Sequence, residues 1–252
     1  MDANHLQDFT MVEGYSAYWN YEDNMKFMKE MITYILEKLY EGNLNIQIGD
    51  KVIDFGGEWK VVSFRELILK DCGIDIDKFE TAESLLAEIR NQKIELDAEN
   101  IESLGRGNLI DQLYKKVSRP SIIEPTFLIK HPIDLSPLAR SNDENPNLTD
   151  RFQLIVNGQE IINGYSELVD AREQERRLIK QSELKAQGDE EAMSIDKEYI
   201  RAMEYGMPPI SGWGLGVDRF LQFLTSSQNI RDVVLYPLMR PRDWANESDD
   251  EE

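Results

Sequence analysis

Three stretches carry side chains whose types and spacing could do chemistry. The first is Gly212-Trp213-Gly214-Leu215-Gly216-Val217-Asp218-Arg219. Glycines at alternate positions leave one strand face bare, so a flat ligand can lie against the backbone. An arginine at the start of the following helix can hold a phosphate bidentately on that face. The glycines alone also fit a close packing contact. The second stretch is Gln159-Glu160-Ile161-Ile162-Asn163-Gly164-Tyr165-Ser166-Glu167. In an extended chain Asn163, Tyr165 and Glu167 share one face. A carboxylate, an amide and an aromatic ring together suit an ammonium ligand. The same spacing also fits a solvent-facing polar strand edge. Glu160 has the opposite parity, so a bulge or turn is needed before it can join them. The third group is His5, Phe9, Glu13 and Tyr15, where Glu13 sits among apolar residues. A carboxylate there must be paired or must face a cavity.

The elements that position these residues follow from periodicity. Residues 8–19 read as a strand. Met25, Met28, Ile32, Ile35, Leu36 and Leu39 recur at helical spacing and Gly42 ends that run. Residues 44–62 read as short strands around Gly49-Asp50, with a turn at Gly56-Gly57. Residues 63–118 read as short helices, with Ser63 fitting a capping box, and form a helical insertion. Strands return at 126–131 and 151–161, with a hairpin signal at Asn157-Gly158. Helices are expected at about 170–186 and 196–205, then a glycine-spaced strand, a helix from near Asp218, and a last strand at VVLYP. Strands at the two ends with helices between them indicate an α+β fold. An antiparallel sheet is favoured, because βαβ crossovers are not evident.

Composition narrows the function classes. The chain has 252 residues, with Lys+Arg 28 against Asp+Glu 48, a net charge of −20. Such a field repels polyanions and favours cationic ligands. A nucleic-acid role needs a local basic patch or a partner. The single cysteine, Cys72, excludes an intramolecular disulfide. No apolar run reaches the ~20 residues of a membrane span. The N-terminus lacks signal-peptide features, so a cytoplasmic location is expected. The acidic end, 245–252, reads as a disordered tail.

SPLARSNDENPNLTDRFQLIVNGQEIINGYSELVDA, together with GWGLGVDRFLQFLTSSQNIRDVVLYPLMRP, resembles the C-terminal part of class II lysyl-tRNA synthetases. The likeness runs from about His5 to Pro241. The last segment resembles motif 3 of the class, HLQDFTMVEGY resembles the tail of motif 2, and NGYSEL is typical of the lysine enzymes. The resemblance implies a class II catalytic domain over residues 1–244, an antiparallel sheet flanked by helices, with the insertion at about 63–118. It implies ATP- and magnesium-dependent activation of lysine to lysyl-adenylate, transfer to tRNA, and a homodimer in the full-length family. Glu13 and Glu167 would hold the lysine ammonium groups, and Tyr15, Asn163 and Tyr165 would shape that pocket. His5 and Phe9 would contact ATP, with Phe9 stacking on adenine. Gly214 and Gly216 would admit the nucleotide and Arg219 would bind its γ-phosphate. Glu160 would bind magnesium.

Gln153 stands where the family usually has a magnesium-ligating glutamate, which weakens a hard-cation site although an amide oxygen can still coordinate. Tyr165 stands where the family often has phenylalanine. The likeness starts inside motif 2, so the N-terminal part of the fold is expected to be missing. That part holds an α-phosphate arginine, whose loss typically costs on the order of 10²–10³ in rate. It also holds motif 1 and the anticodon-reading domain. At −20, the chain alone is expected to hold tRNA weakly or not at all. The alternatives are a ligase that places lysine on something other than tRNA, and a non-catalytic amino-acid-binding module.

Overall fold

A computed structural model describes residues 6–98, 100–189 and 192–237. His5 and the acidic tail lie outside the described residues. The chain divides into two compact units, residues 13–215 and residues 6–12 with 216–237.

The larger unit is organised on a six-stranded sheet. Its strands are β1 (Met11–Ala17), β4 (Lys60–Ser63), β5 (Thr126–Pro132), β6 (Leu148–Val156), β7 (Gln159–Ser166) and β8 (Ile210–Gly216). Their order is β1-β8-β7-β6-β5-β4. A separate hairpin pairs β2 (Asn45–Ile48) with β3 (Lys51–Asp54). The turn between β6 and β7 is Asn157-Gly158, with φ of 49° and 72°, the left-handed pair that a two-residue hairpin needs.

Helix α1 (Tyr21–Leu39) starts with a capping box. The Asn20 side chain accepts from Asp23 N–H, and the Asp23 carboxylate accepts from Asn20 N–H. Asn24, Met28, Ile32 and Leu36, four apart, form its buried stripe. Met25 and Ile35, expected in that stripe, are half-buried, and Leu39 is exposed. The polar member, Asn24, donates from Nδ2 to Ser211 Oγ at 2.7 Å, while its buried Oδ1 has no hydrogen-bond partner among the described residues. The helix lies against β6 and β7. Phe27 tilts against Trp213 on the same side, with ring centroids 6.1 Å apart.

The opposite face of the sheet meets the insertion. α2 (Phe64–Cys72), α3 (Ala82–Asn91) and α4 (Arg106–Val117) share one core with Leu128 of β5 and Ile155 of β6. The chain from β4 through these helices returns to lie parallel to β5, with Val61 opposite Phe127. The sheet is therefore mixed, which corrects the antiparallel expectation. A parallel pair needs a long crossover, and the insertion supplies it. β5 to β8 pair antiparallel in turn.

Two local expectations also change. The complete capping box in the insertion is Thr81–Ser84, while at Ser63 only the side-chain acceptor to Glu66 N–H is formed. VVLYP is not a strand. Ile230–Val233 forms a 3-10 turn, and Leu235 and Tyr236 beyond it are each 92% exposed. The long helices α5 (Ala171–Ala186) and α6 (Lys197–Glu204) begin at Asp170 and Asp196, whose carboxylates accept two N–H bonds each.

In the smaller unit, Val217 N–H donates to Thr10 O at 2.9 Å and Thr10 N–H donates to Asp218 Oδ2 at 2.6 Å. These bonds clip the segment before β1 to the first turn of α7 (Val217–Thr225).

The α1 face depends on one missing side chain. A Cβ at Gly164 would sit 2.6 Å from Phe152 Cε1 and 2.7 Å from Gly212 O. Gly164→Ala should therefore lower unfolding free energy by about 1–3 kcal/mol, read from urea denaturation. An unchanged midpoint would mean that the two strands separate freely at this rung.

Candidate functional site

Cross-strand register brings the candidate lysine residues to one face. Tyr165 lies opposite Gly212, and Asn163 opposite Gly214. Directly paired residues project to the same side of a sheet. The glycine lane of β8 thus runs beside the polar row of β7, on the face away from α1.

Gly212 is where the site closes up. A methyl there would lie 2.6 Å from Glu167 Oε1 and 2.6 Å from Tyr15 Cε1. Only a residue without a side chain lets Tyr15 of β1 and Glu167, just past β7, meet over the backbone. Glu13 is exposed on β1, and the Tyr15 hydroxyl stands 3.4 Å from its Oε2. Glu167 is only 8% exposed. Burial, and then the Glu13 charge, push its pKa up to about 7. Among the described residues no basic group offsets this.

Tyrosines line the same place. Burial and then Glu167 raise the pKa of Tyr165 well above the usual phenol value. Burial, Glu13 and Glu167 raise that of Tyr15. Burial and then Glu167 also raise that of Tyr199, from α6. All three stay neutral at physiological pH. The group therefore offers carboxylate acceptors and aromatic faces, a composition that fits an ammonium ligand. Tyr199 was missed in the sequence, because a tyrosine in a charged helix carries no spacing signal that places it on this face.

Arg151 was missed too. It is half-buried on β6 opposite Tyr165. Its Nε donates to Asn163 Oδ1 at 2.9 Å, and its Nη1 donates to Leu135 O and Ser136 Oγ, both at 2.9 Å. Asn163 is thereby fixed through its oxygen and offers its amide nitrogen to a ligand. Burial lowers the guanidinium pKa, and the charge of Glu160 opposes that shift. The signal for Arg151 was its alternation with Gln153 on β6, which becomes useful only once the hairpin register is known.

The expected bulge exists. Leu154 pairs with Ile162 but Ile155 pairs with Glu160, so Ile161 is extra. It brings Glu160 to Gln153, whose Nε2 donates to Glu160 Oε2 at 2.7 Å. Gln153 Oε1 lies 3.1 Å from Nε2 of the buried His131. Burial, with the Arg151 charge, holds the His131 pKa well below the usual imidazole value. The expected magnesium site at Glu160 and Gln153 does not fit this donor set. It supplies one carboxylate, an N–H donor where a cation would need an oxygen, and an amide oxygen already turned to His131. Among the described residues no group of three or more His, Cys, Asp or Glu could hold a metal.

The remaining nucleotide candidates divide between the units. Gly214 belongs to the sheet. Phe9, 66% exposed, belongs to the smaller unit with Gly216 and the half-buried Arg219. There Phe9, Asp8, Thr10, Asp218 and Tyr236 help line a cavity of about 110 Å³.

Two predictions follow from the acid pair. Gly212→Ala should weaken lysine binding about 10–100-fold by calorimetry, since overpacking of this kind costs about 1–3 kcal/mol. Wild-type affinity in that variant would show that the ligand does not use the gap. The second concerns pH. Below pH 7 Glu167 takes up a proton, so lysine affinity should fall, by up to about tenfold per pH unit. Stability of the free protein runs the other way. Between the unfolded value of 4.5 and about 7, the folded carboxyl holds a proton that the unfolded chain has released. Its contribution is full below pH 4.5 and is lost as pH rises to about 7. Glu167→Gln should flatten this group's part of both profiles, measured by calorimetry and thermal unfolding across pH 5–8.

Comparison with known proteins supplies the family. The model for tRNA synthetases class II (D, K and N) matches residues 1–240. The lysine–tRNA ligase of Thermosipho africanus is 40% identical over 247 residues, covering 98% of this chain and 48% of the relative. That of Fervidobacterium nodosum is 43% identical over 239 residues, covering 94% of this chain and 45% of the relative. That of Aquifex aeolicus is 40% identical over 241 residues, with 96% and 40% covered. The chain thus spans about half the length, or less, of these curated relatives. Its mixed sheet flanked by helices agrees with the match along nearly the whole sequence, and the chain belongs to the class II tRNA synthetases of the D, K and N group.

Proposed function

We propose that this chain is the amino-acid-activating part of a lysine–tRNA ligase. The observation that carries the reading is the unneutralised acid pair, Glu13 and Glu167, gathered with Tyr15 around the gap at Gly212. Lysine has two ammonium groups, and two carboxylates suit it where an amino acid with a neutral side chain would leave one of the acids uncompensated. The lysine–tRNA ligases similar to this chain support the same substrate.

In this reading Glu167 gives up its proton as lysine binds, and its charge pairs with an ammonium group. Tyr15 and Tyr165 present their ring faces to the cation, and Asn163, fixed by Arg151, donates to the amino acid. A carboxylate oxygen of lysine attacks the α-phosphorus of ATP in line. The bond from the α-phosphorus to the oxygen bridging the α- and β-phosphates breaks, and pyrophosphate leaves as lysyl-adenylate forms. A tRNA terminal hydroxyl then displaces AMP from the lysyl carbonyl. Phe9, Gly214, Gly216 and Arg219 are assigned to ATP, with Arg219 on the γ-phosphate; His5, outside the described residues, shares that assignment. Magnesium belongs to this reading as a companion of the ATP phosphates. A homodimer in the cytoplasm is the setting the resemblance implies.

The test is lysine-dependent exchange of pyrophosphate into ATP by the purified chain, beside a Glu167→Ala control. Exchange that disappears in the control supports the proposal. Folded protein that binds lysine but shows no exchange would move the assignment to an amino-acid-binding module.

A further inference from the structure

We propose that Arg151 and Gln153 take the place of a protein-held divalent cation at Glu160. A cation between two carboxylates does two things: it neutralises charge and it occupies the facing oxygen lone pairs. Both jobs are done here by side chains of β6. Gln153 Nε2 donates to Glu160 Oε2 at 2.7 Å, which satisfies the carboxylate directly. Arg151, half-buried on the same face one alternation away and anchored on Asn163, adds a positive charge to this group of side chains.

The orientation of the Gln153 amide is set at the Glu160 end, where a carboxylate calls for the N–H side. The amide oxygen meets His131 Nε2 at 3.1 Å, and His131 is held in turn by the Phe64 ring, with centroids 5.0 Å apart. Reversing the amide would set its oxygen 2.7 Å from a carboxylate oxygen. That contact is repulsive unless a cation stands between the two. The side chains therefore form a hydrogen-bonded run, His131 to Gln153 to Glu160, that links the carboxylate to protein groups without an ion. The same Arg151 fixes Asn163, so the Glu160 cluster also positions the amide assigned to lysine. Gln153 is a positioning residue in this scheme. The inference concerns the ion held by protein alone and leaves cations carried on nucleotide phosphates aside.

The inference takes from the family reading only the expectation of a cation at this place. Its test reads metal binding and stability without nucleotide or lysine, so its failure is separable from failure of the proposed function. The purified chain is stripped with chelator and titrated with Mn²⁺, following free Mn²⁺ by electron paramagnetic resonance and unfolding by calorimetry. Wild type and Glu160→Gln should give the same Mn²⁺ titration, and wild-type melting should not respond to Mn²⁺ any more than Glu160→Gln does. Gln153→Glu should melt below wild type in chelator, because two carboxylates then face each other. Mn²⁺ should restore it and show a new bound ion, which adding Glu160→Gln removes. Wild-type Mn²⁺ binding that disappears in Glu160→Gln would overturn the proposal. So would a folded Gln153→Glu variant that gains no ion. The wild-type comparison stands by itself if Gln153→Glu does not fold.

Discussion

A guanidinium tied to three partners holds the candidate site in shape. Arg151 is half-buried, and the desolvation of its charge has to be offset by those partners. Its tolerance there depends on three hydrogen bonds, to Leu135 O, Ser136 Oγ and Asn163 Oδ1, and on the nearby charge of Glu160. Each partner is thereby fixed. The loop before β6 is tied to the sheet, Asn163 is turned so that its amide nitrogen is available, and Glu160 has a counter-charge. Removing one member would leave the others unsatisfied, so the cluster behaves as a unit.

The two faces of the sheet divide the work. On one, α1 and the rings of Phe152 and Trp213 make an apolar contact so close that Gly164 and Gly14 have no room for a side chain. On the other, the insertion helices cover β5 and β6. They leave the β7–β8 end, where the glycine lane admits Tyr15 and Glu167. The insertion is part of the same core as the sheet, through Leu128 and Ile155, and is no appendage. Tension is concentrated in the acid at the site, where Glu167 is kept half-protonated near neutral pH by its burial and by Glu13. Unneutralised acids are costly in a folded protein, and a cationic ligand relieves that cost.

Much of the fold was legible because its signals are local. The stripe of α1, the Asn157-Gly158 hairpin and the glycine-spaced strand each depend on residues within a few positions of one another. The parallel pairing of β4 with β5 was not legible. β4 has four residues, and its partner follows only after the whole insertion, so no local pattern links them. VVLYP misled for a related reason. Its β-branched and aromatic residues favour a strand, but strand propensity acts only where a neighbouring strand accepts the pairing.

By itself the sequence determined the chemistry on offer: which residues are acids, amides, aromatics and glycines, and that Asn163, Tyr165 and Glu167 alternate onto one face. It also required a bulge before Glu160 could approach. The tertiary structure decided what those groups meet. Where the bulge falls, at Ile161, selects Gln153 as the neighbour of Glu160. The packing of β1 beside β8 brings Tyr15 to Glu167, and α6 adds Tyr199. The physical reason is distance along the chain. Alternation is set by bond geometry between neighbours, whereas burial, counter-charges and pKa shifts are set by segments that touch only after folding.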